Sequence, residues 1–157
     1  MRVACAFDHA GFPFKPLILA VVADEGHEIL DLGTDSLEPV DYPDTAMDVA
    51  AALTSGVADR GLLVCGSGAG VAIAACKVPG VRAATAHDTY TAHQAVEHDD
   101  INALCLGARV VGPSYAEEIV RAFLRASFSG EERHVRRLAK VLAIEERYSA
   151  IDPPPTA

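Results

Sequence analysis

The sequence has no tryptophan, few aromatic residues and a shortage of basic ones: 13 lysines and arginines stand against 22 aspartates and glutamates, for a net charge of −9. A nucleic-acid-binding surface needs a broad basic face, which this excess of acidic residues does not provide. We therefore expect no nucleic acid partner. A few arginines can still converge on a small anion while the rest of the surface stays acidic.

Long apolar runs are also missing, so we expect no membrane segment. The first twelve residues, MRVACAFDHAGF, contain one basic residue and only a short apolar run before Asp8, unlike a signal peptide. No CxxC pair occurs among the four cysteines, which are Cys5, Cys65, Cys76 and Cys105. Isolated cysteines without an export signal are typical of free thiols in a reducing compartment, so we expect a cytoplasmic protein.

What the sequence does have is a regular alternation of apolar runs and amphipathic stretches. The apolar runs predict five strands, over residues 3–7, 28–32, 61–65, 81–86 and 103–107. Each strand is followed by a helical stretch, and the last helix, predicted over 131–148, is long. This alternation predicts a single-domain, doubly wound, Rossmann-like α/β/α sandwich with a five-stranded parallel sheet. We assign residues 1–149 to this domain and expect the proline-rich tail 150–157 to be disordered.

The topology also predicts where a ligand binds. In doubly wound sheets, ligands lie beyond the carboxyl ends of the strands, where the strand order reverses. For the expected order 2-1-3-4-5, that point lies between the first and third strands. It brings Asp8 and His9 beside Cys65 and the glycine-rich turn that follows it.

The turn Gly66–Gly70 (GSGAG) joins the third strand to a helix. Glycines at such a turn let backbone N–H groups approach an anion closely, which suits a phosphate or an oxyanion equally well. Cys65 at the end of an apolar strand is most often a core residue. Next to several N–H donors and a helix N-terminus, however, its thiolate is favoured, which suits either covalent attack or removal of a carbon-bound proton.

Other polar residues allow two interpretations. His98 and Asp99 follow a helix and could be a cap and loop, or part of a site. Arg133 and Arg137 lie four residues apart on one helix face, which suits either solvent or a phosphate monoester. We find no acidic or cysteine partners at metal-ligand spacing for His87 and His93, so we interpret both as structural and expect no metal.

Taken together and in order, several segments resemble the family of ribose-5-phosphate isomerase type B and galactose-6-phosphate isomerase. They cover the chain from end to end except for the proline-rich tail. The segments are AFDHAGF (6–12), DLGT (31–34), VDYPD (40–44), CGSGAGVAIAACK (65–77), PGVRAA (79–84), EHDDIN (97–102), LGARVVG (106–112) and ERHVRR (132–137).

The resemblance implies an aldose–ketose isomerase that needs no cofactor, interconverting D-ribose 5-phosphate and D-ribulose 5-phosphate. Cys65 would move the proton between C1 and C2, with the enediolate oxygen held by N–H groups of the glycine turn and Ser67 at the sugar hydroxyls. Asp8 and His98 would open the furanose ring. The remaining substrate contacts that it implies are His9, Tyr42, Gly66, Gly68, Gly70, Asp99, Arg109, Arg133 and Arg137.

The resemblance also implies a homodimer or a dimer of dimers whose sites are shared, with parts of the region from His98 to Arg109 serving the neighbouring subunit's site. Three positions depart from the family pattern or decide between its branches. Val71 stands where one branch has a carboxylate base, which leaves Cys65 as the candidate base. Asp99 and Cys76 each replace a usual asparagine.

Because an ionised aspartate accepts but cannot donate a hydrogen bond, Asp99 leaves the substrate open. A tetrose phosphate, allose 6-phosphate or another hexose phosphate are the alternatives within the same chemistry. The alternative that is not an enzyme is a non-catalytic module with the same fold that senses a phosphosugar or a nucleotide. That module would tolerate the loss of Cys65 without loss of function.

Overall fold

The computed structural model describes residues 1–149, in which strands and helices alternate as predicted. A short 3₁₀ turn, Phe12–Phe14, precedes the first helix. The strands are β1 (Arg2–Phe7), β2 (Glu28–Asp31), β3 (Arg60–Cys65), β4 (Ala83–Thr85) and β5 (Ala103–Gly107). The helices are α1 (Lys15–Asp24), α2 (Tyr42–Thr54), α3 (Ala69–Ala75), α4 (Thr89–Asp99), α5 (Pro113–Arg125) and α6 (Glu132–Ser149).

The five strands form one parallel sheet in the order β2-β1-β3-β5-β4. The predicted fold class, a doubly wound sheet with a long C-terminal helix, is confirmed. The predicted order 2-1-3-4-5 is wrong in its last two strands, since β5 and not β4 pairs with β3. The reversal of strand order between β1 and β3 is unaffected, so the predicted ligand position remains at this point of the sheet.

The exchange of the last two strands follows from how deeply each is buried. A strand with neighbours on both sides and helices on both faces must be apolar at every position. All five residues of β5 are buried, whereas the three residues of β4 are only partly covered. The shorter and less buried strand therefore takes the sheet edge, and β5 takes the interior position beside β3.

Side chains alternate between two cores on opposite faces of the sheet. One core joins β-strand residues such as Phe7 and Leu104 to helices α1, α4 and α5. The other is built from smaller residues and joins Ala6, Cys65 and Cys105 to α2 and α3. Because successive residues of a strand point to opposite faces, Cys65 faces α2 and α3, at the carboxyl edge of the sheet.

Helix α6 packs less tightly than the rest. Among its described residues only His134 is buried, and apolar residues along it stay exposed: Val135, Val141, Leu142, Ile144 and Tyr148. Within residues 1–149 no helix combines the length and the hydropathy that a bilayer span requires. The tail 150–157, which we predicted to be disordered, lies outside the described residues.

Candidate active site

A cavity of about 430 Å³ opens at the carboxyl ends of β1 and β3. The sequence predicted a ligand at this position from the topology alone. The residues that line the cavity come from four segments of the chain. They are Asp8, His9, Ala10, Tyr42, Cys65, Gly66, Ser67, Gly70, Arg109 and Val110.

The turn after β1 is fixed tightly against β3. Asp8 is buried, and its Oδ1 accepts hydrogen bonds of 2.8 Å from the backbone N–H groups of Ala10 and Gly11. Its own N–H donates to the Val64 carbonyl at 3.2 Å. A Cβ at Gly11 would lie 2.0 Å from the Val64 oxygen, so only glycine fits there. The carboxylate of Asp8 is therefore held in one place at the cavity wall.

The glycine turn after β3 has a conformation that needs its glycines. Gly68 has a φ of 80°, in the left-handed region, and a Cβ there would lie 3.0 Å from both Leu106 and Thr85. The Gly68 carbonyl accepts a hydrogen bond of 3.0 Å from the Thr85 hydroxyl. Ser67 lies between these fixed points with its side chain exposed, and its Oγ accepts from the Ala69 N–H at 3.3 Å.

Cys65 contacts this turn directly. Its Sγ accepts a hydrogen bond of 3.0 Å from the Gly68 N–H, and the residue is 5% exposed. This hydrogen bond fixes the sulfur atom at the cavity that Cys65 lines. Two other cysteines are fully buried in the sheet: burial raises the pKa of Cys5 to about 12 and also raises the pKa of Cys105. Those two thiols stay protonated, and Cys76 is exposed outside the cavity.

The corrected strand order brings Arg109 into the cavity. Since β5 pairs with β3, the segment that leaves β5 runs along the glycine turn. The Ala108 N–H donates to the Cys65 carbonyl at 2.8 Å, and the Arg109 N–H donates to the Gly66 carbonyl at 3.1 Å. In the order 2-1-3-4-5, the segment after β4 would have occupied this position instead.

His9 and Tyr42 form the opposite wall. The Nδ1 atom of His9 accepts a hydrogen bond of 3.2 Å from the Val40 N–H. Tyr42 is the first residue of α2, and its ring lies against Gly70, where a Cβ would approach it to 2.9 Å. Gly70 therefore makes room for the ring at the cavity.

Five predicted site residues do not line this cavity. Gly68 contacts the Cys65 sulfur from within the glycine turn. The other four lie away from the cavity and are His98, Asp99, Arg133 and Arg137. His98, near the end of α4, stacks on His134 of α6 with ring centroids 4.0 Å apart. Asp99 lines a separate cavity between α6 and the β4–β5 edge. We call the surface that carries these four side chains, at the end of α4 and the start of α6, the α4–α6 surface.

His134 on this surface was not among the predicted site residues. It is 1% exposed, its Nδ1 lies 2.6 Å from the Ser129 hydroxyl, and its Nε2 has no partner within residues 1–149. Burial, followed by the neighbouring charge of His98, lowers the pKa of His134, so this ring is neutral at neutral pH. The only sequence signal for it was its place beside Arg133 on the predicted helix.

The two histidines that we interpreted as structural lie outside the cavity. The Nε2 atom of His87 accepts a hydrogen bond of 3.1 Å from the Gly107 N–H, and His93 lies 3.7 Å from Glu97 on α4. Among residues 1–149, no three histidine, cysteine, aspartate or glutamate side chains converge so that they could hold a metal ion.

Comparison with known proteins gives this geometry a family. The sequence profile described as Ribose/Galactose Isomerase matches residues 3–141. Ribose-5-phosphate isomerase B of Escherichia coli (strain K12) is 42% identical over 146 residues, which are 93% of this chain and 97% of that protein. D-erythrulose-4-phosphate isomerase of Pectobacterium atrosepticum is 40% identical over 132 residues, 83% of this chain and 86% of that one.

The solved structures agree with the sequence comparison. Ribose-5-phosphate isomerase B of Clostridium thermocellum superposes with a TM-score of 0.91 at 45% identity, covering 95% of this chain and 100% of that one. The expected resemblance is thus confirmed in both sequence and fold. The chain belongs to the Ribose/Galactose Isomerase family, and within it to the sugar phosphate isomerases of the ribose-5-phosphate isomerase B type.

Proposed function

We propose that this isomerase interconverts D-ribose 5-phosphate and D-ribulose 5-phosphate through a cis-enediolate, with Cys65 as the base. One observation carries the proposal: the Cys65 sulfur accepts the Gly68 N–H at 3.0 Å and lines the cavity. A proton next to a carbonyl is only weakly acidic. Its removal therefore needs a nearby base and donors that stabilise the resulting oxyanion.

The proton transfer balances without any added redox partner. The Cys65 thiolate takes the proton from C2 of the open-chain aldose, and the electron pair forms the C1–C2 double bond as the C1 carbonyl oxygen becomes the enediolate. The O2 hydroxyl proton then passes to the O1 oxyanion while the Cys65 thiol returns its proton to C1, which leaves a hydroxyl at C1 and the ketone at C2. N–H groups of the Gly66–Gly70 turn stabilise the oxyanion, and Ser67 bonds the sugar hydroxyls.

Ring opening precedes this step and needs a base and an acid. The proton on the O1 hydroxyl leaves as the bond from C1 to the ring oxygen breaks, and the ring oxygen takes a proton. We assign these two transfers to Asp8 and His98. The fixed Asp8 carboxylate at the cavity supports its part. His98 is half-buried beside Glu97 and does not line the cavity of its own chain. We therefore assign it to the cavity of a second copy of the chain.

The same argument applies to the phosphate. His9 and Arg109 line the cavity, while Arg133 and Arg137 lie on the α4–α6 surface with Asp99. We propose that a second copy of the chain supplies the latter set, in a homodimer or a dimer of dimers. The exposed apolar side chains along α6, Val141, Ile144 and Tyr148 among them, support an interface on this helix.

A tetrose phosphate is the second candidate substrate. It is favoured by the 40% identity to a protein named D-erythrulose-4-phosphate isomerase and by Asp99 in place of an asparagine. The chemistry at Cys65 would be the same. We further propose that no cofactor is needed and that the protein works in the cytoplasm, where its four free cysteines would stay reduced.

Proton NMR of D-ribose 5-phosphate in D₂O with EDTA-treated protein tests the proposal. We expect ribulose 5-phosphate to form, with deuterium at the exchanging C1 and C2 positions. Cys65→Ala should abolish both signals, while Cys76→Ala, which removes an exposed thiol outside the cavity, should keep them.

If the wild type leaves ribose 5-phosphate unchanged but converts D-erythrulose 4-phosphate, the substrate is wrong and the chemistry stands. If Cys65→Ala retains full exchange with either sugar, the cysteine base is wrong. Loss of activity on EDTA treatment, restored by a divalent metal, would contradict a reaction without cofactor.

A further inference from the structure

One of the two ring nitrogens of His9 already accepts a hydrogen bond from the backbone. The Val40 N–H donates to His9 Nδ1 at 3.2 Å. A ring nitrogen that accepts a hydrogen bond carries no proton, so the neutral imidazole holds its proton on Nε2. Nε2 is the nitrogen left over for the cavity that His9 lines.

Val40 belongs to the segment 33–41, which connects β2 to α2. Residues 36–39 are exposed, and the side-chain hydrogen bonds in this stretch are short-range ones, such as that from the Ser36 N–H to the Thr34 hydroxyl. The start of the segment is fixed on β1: the Thr34 N–H donates to the Phe7 carbonyl at 3.1 Å. Gly33 packs on Phe7 so closely that a Cβ would lie 2.7 Å away.

Lys15 supplies a second anchor for this segment. Its ammonium donates to the Thr34 carbonyl at 3.1 Å and contacts the carboxylates of Asp35 at 2.6 Å and Asp31 at 2.9 Å. Three acceptors match the three protons of the ammonium. Since Asp31 ends β2 and Thr34 and Asp35 begin the segment, one side chain ties α1, β2 and the segment together.

The three contacts of the Lys15 ammonium compensate for an unfavourable position of its charge. It is 8% exposed and is the first residue of α1, where the helix dipole disfavours a positive charge. Burying an ammonium is costly unless it is paired. Burial lowers the pKa of Lys15, but the hydrogen bonds to Asp31 and Asp35 outweigh it and raise that pKa above its ordinary value, so the lysine stays charged.

We propose that the segment 33–41, anchored by Lys15, holds His9 as its Nε2-protonated tautomer, so that a neutral N–H donor faces the substrate phosphate. Lys15 and the Val40 amide are then positioning residues that act through His9. The part that concerns phosphate rests on the proposed function. The tautomer itself does not, because it follows from the contact with Val40.

The opposite tautomer would be harmful to binding. With its proton on Nδ1, His9 would present the Nε2 lone pair to phosphate oxygens, and the Val40 N–H would lose its acceptor. Loosening the anchor should therefore weaken substrate binding more than it slows the chemical step. We expect Lys15→Met to raise KM for ribose 5-phosphate about tenfold, the worth of one hydrogen bond to a charged group, with kcat changed less than about twofold.

The direct test is ¹⁵N NMR of the histidine rings, with the His9 signals assigned from their loss in His9→Gln. In the wild type, the shifts of His9 should be those of a neutral ring protonated at Nε2. In Lys15→Met they should move toward a mixture of tautomers, and in Val40→Pro, which removes the donor, further still. Arg2→Met, which removes a paired cation at the opposite, amino end of β1, is the matched control and should change neither shifts nor KM.

The outcomes separate this inference from the proposed function. A wild-type His9 that is protonated at Nδ1, or equally at both nitrogens, would overturn the inference whatever the enzyme's substrate is. If a folded Lys15→Met variant keeps the wild-type ¹⁵N shifts and KM, Lys15 is not a positioning residue for His9. If Lys15→Met does not fold, Asp35→Asn, which weakens the same anchor at an exposed carboxylate, takes its place. Failure to turn over ribose 5-phosphate would refute the substrate and leave the tautomer measurement valid.

Discussion

The cavity beside Cys65 and the α4–α6 surface carry two halves of one predicted site. They differ in how firmly the fold holds their side chains and in how exposed those side chains are. The cavity is preorganised: backbone N–H groups hold Asp8 and Cys65, and glycines at 11 and 68 allow no larger residue. On the α4–α6 surface, Arg133 and Arg137 are exposed. Under the proposed function, the fixed cavity supplies the base and the oxyanion turn, and the exposed surface of a second copy supplies the remaining side chains.

Under the proposed function, the carbon-acid chemistry at Cys65 lies in the fixed cavity, and two of the phosphate contacts, Arg133 and Arg137, lie on the exposed surface. Proton transfer to and from carbon depends on donors fixed before the substrate arrives. Phosphate recognition tolerates longer, more mobile side chains such as arginine. Substitutions in the two regions should accordingly differ in which kinetic constant they change.

The largest effect should come from the cavity. Cys65→Ala should lower kcat on the order of 1000-fold, since removing a positioned base typically costs this much. Steady-state kinetics with Cys76→Ala as the control would measure it. If Cys65→Ala keeps the wild-type kcat and only raises KM, the cavity and the α4–α6 surface do not differ in the kinetic constant that they control.

The α4–α6 surface should respond in KM. We expect Arg137→Ala to raise KM roughly 10-fold or more, because one charge-assisted hydrogen bond to phosphate is lost, and to change kcat much less. Arg136→Ala, next to it on α6 but on a different face, should leave KM near the wild-type value. Equal effects of the two substitutions would indicate general surface charge and no phosphate contact.

Rigidity of the cavity can be tested through stability. Gly11→Ala should reduce the free energy of unfolding by about 2 kcal/mol, as is typical of an overpacked position, because its Cβ would meet the Val64 carbonyl. Gly112→Ala, where a Cβ meets nothing within 4 Å, should cost less, about 1 kcal/mol at most, because only the N-cap preference of α5 for glycine over alanine is lost. Urea denaturation would compare them. Similar losses for both would mean that the turn at Asp8 is not tightly packed.

The smallest effect concerns pH and His134. The pKa of His134 is lowered in the folded chain, so the unfolded chain binds a proton first as the pH falls. Its contribution to stability is thus complete above about pH 6.5, the ordinary histidine pKa, and is lost as the pH drops below that value. His134→Gln should flatten the slope of unfolding free energy against pH there, with the exposed His93→Gln as a control for the loss of one histidine. An unchanged slope would contradict the burial of His134 as its cause.

Much of the cavity was predictable because its residues carry local signals. Asp8, His9 and Cys65 directly follow or end apolar runs, and a glycine-rich turn marks the strand end that needs close backbone approach. The strand order was harder to predict from the sequence. Both β4 and β5 are apolar, and the sequence does not show which of the two is buried more deeply. That error concealed why Arg109 reaches the cavity.

The remaining features depend on contacts between distant residues. Lys15 and Asp35, the Val40 amide and His9, and the stacked rings of His98 and His134 are each separated by 20 or more residues. No periodicity or spacing encodes such pairs. Only the folded chain brings them together.

Subunit mixing tests the central claim, that one chain's cavity is completed by the α4–α6 surface of another. Cys65→Ala would be co-refolded in equal amounts with a chain carrying both His98→Asn and Arg137→Ala, each nearly inactive alone. In a two-fold dimer with shared sites, half the dimers are mixed and each has one intact site, so activity should return to about a quarter of the wild-type value. Activity no higher than that of the two variants measured separately would contradict the account, because each site would then lie within a single chain.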